Sequence, residues 1–199
     1  MIFSGIEERH LLNPSRIEID KTMMREIIAR DPGIIGPMID LPGPGFVRRY
    51  SQWGILSSVY IAVERDWTVW RKIREQITKL KGRMPRGEFP VLGFKNDFWE
   101  HIKSVDTVYT FVLYCATATL SKMVHDEDLL DNLRMIVGRM NKPSYFMITF
   151  SRRDDKDFRE WCIEMIRKIM GGKEILHLNY GAPRLGQTSM TSLLFRIGN

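Results

Sequence analysis

The sequence predicts an α/β fold, a three-layer αβα sandwich on a mostly parallel sheet that closes with a C-terminal antiparallel hairpin. Two observations carry this reading. Short runs rich in β-branched and aromatic residues alternate with amphipathic helical stretches from residue 34 to residue 170, which is the rhythm of repeated βα units. The last two runs, Glu174 to Tyr180 and Thr191 to Ile197, have only a Gly/Pro/Ser loop between them and no helix, so they pair antiparallel.

Met23, Met24, Ile27 and Ile28 recur at helical spacing within Asp20 to Arg30, after Asp20 as a cap and before the breaker Asp31-Pro32-Gly33. This helix belongs to an N-terminal helical extension, residues 1–33, and residues 34–199 form the core of a single domain. Ile34 to Leu41 reads as a buried strand running into the tight turn Pro42-Gly43-Pro44-Gly45, with a short helix over Phe46 to Trp53. Ser57 to Val63 is the second strand and Trp67 to Leu80 its basic amphipathic helix. The three-residue spacing of Trp67 and Trp70 puts both on that helix's buried face. After a Gly82 to Gly87 loop, Phe89 to Phe94 is a third short strand, and Asn96-Asp97-Phe98-Trp99 opens another turn or helix. Thr107 to Tyr114 and Ser144 to Phe150 are the fourth and fifth strands. Helices over Asp126 to Met140 and Asp154 to Met170 follow them, the last stopped by Gly171-Gly172.

Of the 199 residues, 44% are hydrophobic and 27% charged, which excludes a disordered chain. The longest uncharged mid-chain stretch, Thr107 to Leu120, is too short to span a bilayer, and Glu7, Glu8 and Arg9 break up any secretory signal. The expected setting is intracellular, cytoplasmic or nuclear, with no membrane contact. Cys115 and Cys162 are the only cysteines, and His10, His101, His125 and His177 are scattered. Neither a disulfide framework nor a metal site is expected.

Ligands of such sheets bind beyond the carboxyl ends of the strands. Three strand ends carry suitable residues. Asp40-Leu41-Pro42-Gly43-Pro44-Gly45 leaves the backbone open to close approach. Glu64 ends the second strand, where a carboxylate can accept both hydroxyls of a ribose, and Arg65 follows it. Asp97 and Phe98 end the third, an acid and an aromatic ring for the amino group and face of an adenine.

This constellation, in this order, resembles the class I S-adenosylmethionine-dependent methyltransferases, Rossmann-like proteins with the same closing hairpin, from about Asp20 to Asn199. The resemblance implies S-adenosylmethionine as cofactor, with Asp40, Pro42, Gly43 and Gly45 near its methionine moiety, Glu64 on the ribose, and Asp97 and Phe98 at the adenine. It places Tyr114, Cys115 and Thr117 opposite the methyl group as catalytic candidates. An Asn/Asp-Pro-Pro-Tyr signature for adenine N6 methylation is replaced there by Tyr114-Cys115-Ala116-Thr117. The lysine and aspartate wanted by a ribose 2'-O enzyme are also missing at the ends of strands four and five, where Cys115 and Ser151 stand. Arg9-His10-Leu11-Leu12-Asn13-Pro14 with the glycine turn is similar to the start of ribosomal RNA adenine dimethyltransferases and their mitochondrial transcription-factor relatives. Glu64 with Asn96-Asp97-Phe98-Trp99 is similar to the non-SET histone lysine methyltransferases. A nicotinamide dinucleotide fold is the nearest rival, but Arg48 stands at the third glycine of its fingerprint.

The formal charge is +6, and the segment from Arg71 to Gly87 alone carries that excess through Arg71, Lys72, Arg74, Lys79, Lys81, Arg83 and Arg86 against Glu75. With Arg48 and Arg49 beside the glycine turn, this basic stretch points to a phosphate backbone, so RNA is the favoured acceptor, against a plain solvated helix face. His177 and Arg184 are expected to border the acceptor pocket. Cys115, without a nearby base, is expected to be a buried apolar thiol rather than a nucleophile. Two other readings stay open: a catalytically inactive methyltransferase-like module that binds RNA or a partner protein, and a histone-type lysine methyltransferase.

Overall fold

Eight strands form one sheet among the described residues of the computed structural model, which are 8–11, 16–83, 90–171, 174–180 and 189–198. In chain order they are β1 (Glu8–Leu11), β2 (Gly36–Asp40), β3 (Ser57–Glu64), β4 (Val91–Lys95), β5 (Tyr109–Thr119), β6 (Met140–Ser151), β7 (Glu174–Tyr180) and β8 (Met190–Ile197). Their spatial order is β1-β7-β8-β6-β5-β2-β3-β4. All pairings are parallel except those of β8, which lies antiparallel between β6 and β7. The chain therefore builds outward from β2 to β3 and β4, then returns to β5 on the other side of β2. That reversal opens a crevice over the carboxyl ends of β2 and β5.

Helices α1 (Arg16–Arg30), α2 (Phe46–Trp53) and α3 (Trp67–Lys81) cover one face. There Met23, Trp53 and Ile73 pack with Met38, Phe111 and Tyr145 of the sheet. Helices α4 (Phe98–Ser104), α5 (Leu120–Asp126), α6 (Leu129–Val137) and α7 (Lys156–Ile169) cover the other. Here Phe98, Leu133 and Ile163 meet Ile39, Val112 and Phe146. Successive residues of β5 serve opposite cores, which is why its sequence is a continuous apolar run rather than an alternation. Gly36 at the start of β2 is required by packing: a Cβ there would lie 2.0 Å from Thr110 Oγ1 on β5.

The structure departs from the sequence reading in five places. α1 begins at Arg16, so Asp20, expected as its cap, lies inside the helix and is buried, where it meets Arg49. β1 was not expected: four residues, ERHL, too short to show a period, pair with the edge of β7. β5 continues to Thr119 because the Cys-Ala-Thr-Ala-Thr segment stays extended, and the Thr119 hydroxyl then caps α5. The helix expected over Asp126 to Met140 is α6 alone, opening after Asp128 in the left-handed region at φ 47° and ending at Val137, and α5 is a further helix before it. Trp67 is 57% exposed rather than core. As the first residue of α3 it overhangs the sheet edge, with Lys95 Nζ 5.0 Å from its ring centroid, while Trp70 lies over Gly93. No helix among the described residues is long and apolar enough to cross a membrane.

Candidate active site

Two cavities lie over the carboxyl ends of the central strands. The first, of about 300 Å³, is lined by Gly43, Glu64, Arg65, Asp97, Phe98, Tyr114 and Glu127 among others. The second, of about 240 Å³, is lined by Pro42, Gly45, Arg48, Thr149 and Met190. Leu41, Gly43, Pro44, Cys115 and Ala116 border both, so they are two ends of one crevice astride the glycine turn. Gly43 has φ +60°, and a Cβ there would meet nothing within 4 Å. The turn needs glycine for its backbone and leaves that side open.

Local capping fixes the acids of the first cavity. Glu64 ends β3 and its Oε1 accepts the Asp66 amide at 2.9 Å, while Asp66 in turn caps α3 by accepting from the Val69 amide at 2.8 Å. Asp97 caps α4: its Oδ1 accepts from the amides of Trp99 at 2.9 Å and Glu100 at 3.3 Å. The other oxygen, Oδ2, faces Arg65 Nη1 at 3.6 Å, and Arg65 Nη2 lies 3.9 Å from Glu127 Oε1. The Phe98 and Tyr114 rings form a wall, their centroids 5.0 Å apart.

Tyr114 donates its hydroxyl to Glu127. Burial, and then the neighbouring Glu127 carboxylate, push the Tyr114 phenol well above its ordinary value, so it stays protonated at neutral pH. Glu127 escaped the sequence reading because it stands in Asp126-Glu127-Asp128, which reads as a helix entrance; only the left-handed break at Asp128 turns it into the crevice wall.

Asp40 lines neither cavity. It is fully buried, gripped by Arg49 through Nε–Oδ2 at 2.8 Å and Nη2–Oδ1 at 2.9 Å, and also accepts from the Tyr60 hydroxyl. Arg49 reaches Asp20 of α1 as well, Nη1–Oδ1 at 3.2 Å. Burial alone would lower the Arg49 pKa, but Asp40 and Asp20 hold it well above its ordinary value. Arg49, 2% exposed, is thus an internal strut that only edges the second cavity rather than an exposed cation, and Asp40 is taken up within the protein.

No family model and no curated protein matches the sequence. Solved structures match in fold. The N-methyltransferase NodS from Bradyrhizobium japonicum WM9, solved with S-adenosyl-L-homocysteine, is 12% identical, over 94% of this chain and 90% of that one, with a TM-score of 0.60. An rRNA methylase from Streptococcus thermophilus is 10% identical over 94% and 99% of the two chains, TM-score 0.60. A SAM-dependent methyltransferase from Agrobacterium tumefaciens is 11% identical over 91% of this chain and 62% of its own, TM-score 0.64. The chain has the S-adenosylmethionine-dependent methyltransferase fold.

Within this methyltransferase fold the remaining sequence candidates fall as follows. Cys115 is half-buried and borders both cavities rather than lying in the core. Thr117 is in β5, and its side chain lies outside the described residues. Arg48 is exposed at the second cavity. On α3, Gln76 joins the turn by donating to Pro44 O at 3.4 Å and accepting from the Val47 amide at 3.2 Å. Lys72 and Lys79, one turn to either side of Gln76, therefore flank the glycine turn. Arg71, Lys72, Arg74, Lys79, Lys81 and Arg83 are all exposed. None of these, nor Arg48, has an acidic partner among the described residues. Arg86 and Arg184 lie outside the described residues. His177 does not border the crevice: its Nδ1 sits 3.5 Å from Glu174 Oε1, beside Arg167 at the α7 side.

Proposed function

We propose that this chain transfers methyl groups from S-adenosylmethionine to RNA. One observation carries the cofactor assignment: residues from three separate strand ends, the Gly43 turn, Glu64, and Asp97 with Phe98, line a single cavity. A Cβ-free backbone, a carboxylate beside a capped helix and an aromatic wall fit a nucleoside, and the second cavity prolongs the space past the glycine turn. When bound, the cofactor supplies a methyl group on a positively charged sulfur. Glu64 holds the ribose hydroxyls, and Asp97 Oδ2 receives the adenine amino group with Arg65 drawn aside. Cys115 and Ala116, shared by both cavities, flank the path between cofactor and acceptor, with Thr117 beyond them. Tyr114, already engaged by Glu127, shapes the wall and takes no proton.

RNA is favoured by the unpaired cations of α3 around Gln76 and by Arg48 at the crevice. A basic protein tail, as in histone-type lysine methylation, is the competing acceptor. A recess next to the first cavity, where Asp97, Glu100, Asp126, Glu127 and Asp128 outnumber Arg65 and Lys103, suits such a tail. A catalytically inactive module is the third reading, motivated by the engaged Asp40 and Tyr114.

Calorimetry with S-adenosylhomocysteine tests the cofactor site: the wild-type chain binds it, and Glu64→Gln weakens binding at least tenfold with the fold intact. Absence of binding by the wild-type chain removes the enzyme reading in favour of the module. Radiolabelled transfer to histones but not to RNA reassigns the acceptor.

A further inference from the structure

The second cavity contains a feature that the cofactor reading does not use. Cys115, Thr149 and Ser192 are direct partners across β5, β6 and β8, side by side in one row of the sheet. Thr149 lines the cavity, and its Oγ1 is 2.7 Å from Ser192 Oγ, which is 2.9 Å from Tyr180 Oη at the end of β7. Thr149 and Ser192 are buried, and Tyr180 is half-buried. In both bonds either oxygen can donate, so the chain of three hydroxyls can reverse its direction by rotating O–H bonds. A run of hydroxyls in contact, reversible and leading from a cavity toward the surface, is a path for a proton. Arg48 and Arg49, which line the same cavity, are cations and accept no proton.

We propose that the second cavity seats the methyl acceptor and that the Thr149–Ser192–Tyr180 chain carries away the proton which the acceptor atom gives up. This rests on the methyl-transfer reading above and narrows its substrate: the acceptor atom is a nitrogen or oxygen that bears hydrogen. Its lone pair forms the new bond to the methyl carbon, and the carbon–sulfur bond breaks with its electron pair left on sulfur. The acceptor atom, now positively charged, is acidic and needs an outlet rather than a strong base. Its proton passes to Thr149 Oγ1 as Thr149 hands its own to Ser192, Ser192 to Tyr180, and Tyr180 to water. Thr149 touches the acceptor; Ser192 and Tyr180 act through it as positioning residues.

The test uses the full chain, radiolabelled S-adenosylmethionine and total RNA, with Thr149→Val, Thr149→Ser, Ser192→Ala and Tyr180→Phe. Expected results are methyl groups on exocyclic amines or hydroxyls after digestion and mass spectrometry, and single-turnover rates about tenfold lower in Thr149→Val, Ser192→Ala and Tyr180→Phe. The solvent deuterium isotope effect shrinks in Ser192→Ala and Tyr180→Phe, and Thr149→Ser restores the rate. Without any turnover, Thr149→Val saturated with S-adenosylhomocysteine binds substrate RNA about 2- to 10-fold more weakly, the worth of one net hydrogen bond. S-adenosylhomocysteine affinity stays within twofold throughout. Methyl groups on a carbon or a hydrogen-free ring nitrogen, or unchanged rates and isotope effects in Ser192→Ala and Tyr180→Phe, overturn the proposal alone. A wild-type chain that binds no S-adenosylhomocysteine or labels no RNA overturns the parent reading, and this proposal with it.

Discussion

Arg49 grips Asp40 with two parallel hydrogen bonds, Nε–Oδ2 at 2.8 Å and Nη2–Oδ1 at 2.9 Å, and the pair is buried, with Arg49 edging the second cavity and Asp40 lining neither. Because Arg49 also meets Asp20 of α1, one guanidinium joins α1, α2 and the end of β2. Arg49→Met leaves the buried Asp40 carboxylate without its counter-charge and takes one partner from Asp20, which costs about 3–5 kcal/mol. Urea unfolding followed by circular dichroism measures it as a lower midpoint. Arg49→Lys keeps the charge but loses the planar fork, and falls between the two.

Asp97 serves two ends at once, and two substitutions separate them. Asp97→Ala removes the α4 cap and loses about 1 kcal/mol of stability together with cofactor affinity. Asp97→Asn keeps an oxygen acceptor for the Trp99 amide, so stability changes by only a few tenths of a kcal/mol while S-adenosylhomocysteine affinity changes. Thermal unfolding alongside calorimetry checks the split. Equal losses of stability in the two variants would contradict it.

How far the sequence disclosed this site follows from what each residue depends on. Glu64 and Asp97 were legible because each stands at the end of a β-branched or aromatic run, and a strand's carboxyl end fixes the residue's place without any other contact. The Gly43 turn was legible for the same reason. Arg49 was misread as surface, since its inward turn answers acids 9 and 29 residues away that no local period reports. Asp40 was misplaced with it: a strand-end acid looks the same in sequence whether it meets a ligand or an internal arginine. Glu127 depended on a backbone break at Asp128, and the Thr149–Ser192 pair on the register of two antiparallel strands.

Asp31 ends α1 and ties it to the sheet, accepting from Arg196 Nε at 2.8 Å and Nη2 at 2.9 Å and from the Tyr145 hydroxyl. The Arg196 hydrogen bonds are the chief reason its carboxyl is held below the ordinary value. A carboxylate with a depressed folded-state pKa binds fewer protons folded than unfolded, so it stabilises the protein above its unfolded pKa of about 3.9. The contribution fades as pH falls through the lower, folded value. Asp31→Asn is therefore less stable than wild type by about 1 kcal/mol at pH 7. That gap narrows steadily below about pH 4. Guanidinium titrations from pH 3 to pH 7 measure it, and a gap independent of pH would refute the assignment.

The α3 cations are the last point open to direct measurement. Lys79 stands one turn beyond Gln76, which is bonded to the glycine turn, and Lys81 at the end of the helix and Arg83 just past it continue the basic surface. If RNA lies along this face, each phosphate contact releases condensed counterions, so log affinity falls with log salt by about 0.7 per contact for a single strand. Reversing Lys79, Lys81 and Arg83 to glutamate should lower RNA affinity at least tenfold at 100 mM salt and cut the magnitude of that slope by about 2. S-adenosylhomocysteine affinity should not move. Arg134→Glu on α6, across the sheet, is the control for net charge alone, because its cation is on the opposite face. The triple variant changes the charge by six units and the control by two, so an equal loss of log affinity per unit of charge in both would show that RNA responds only to total charge.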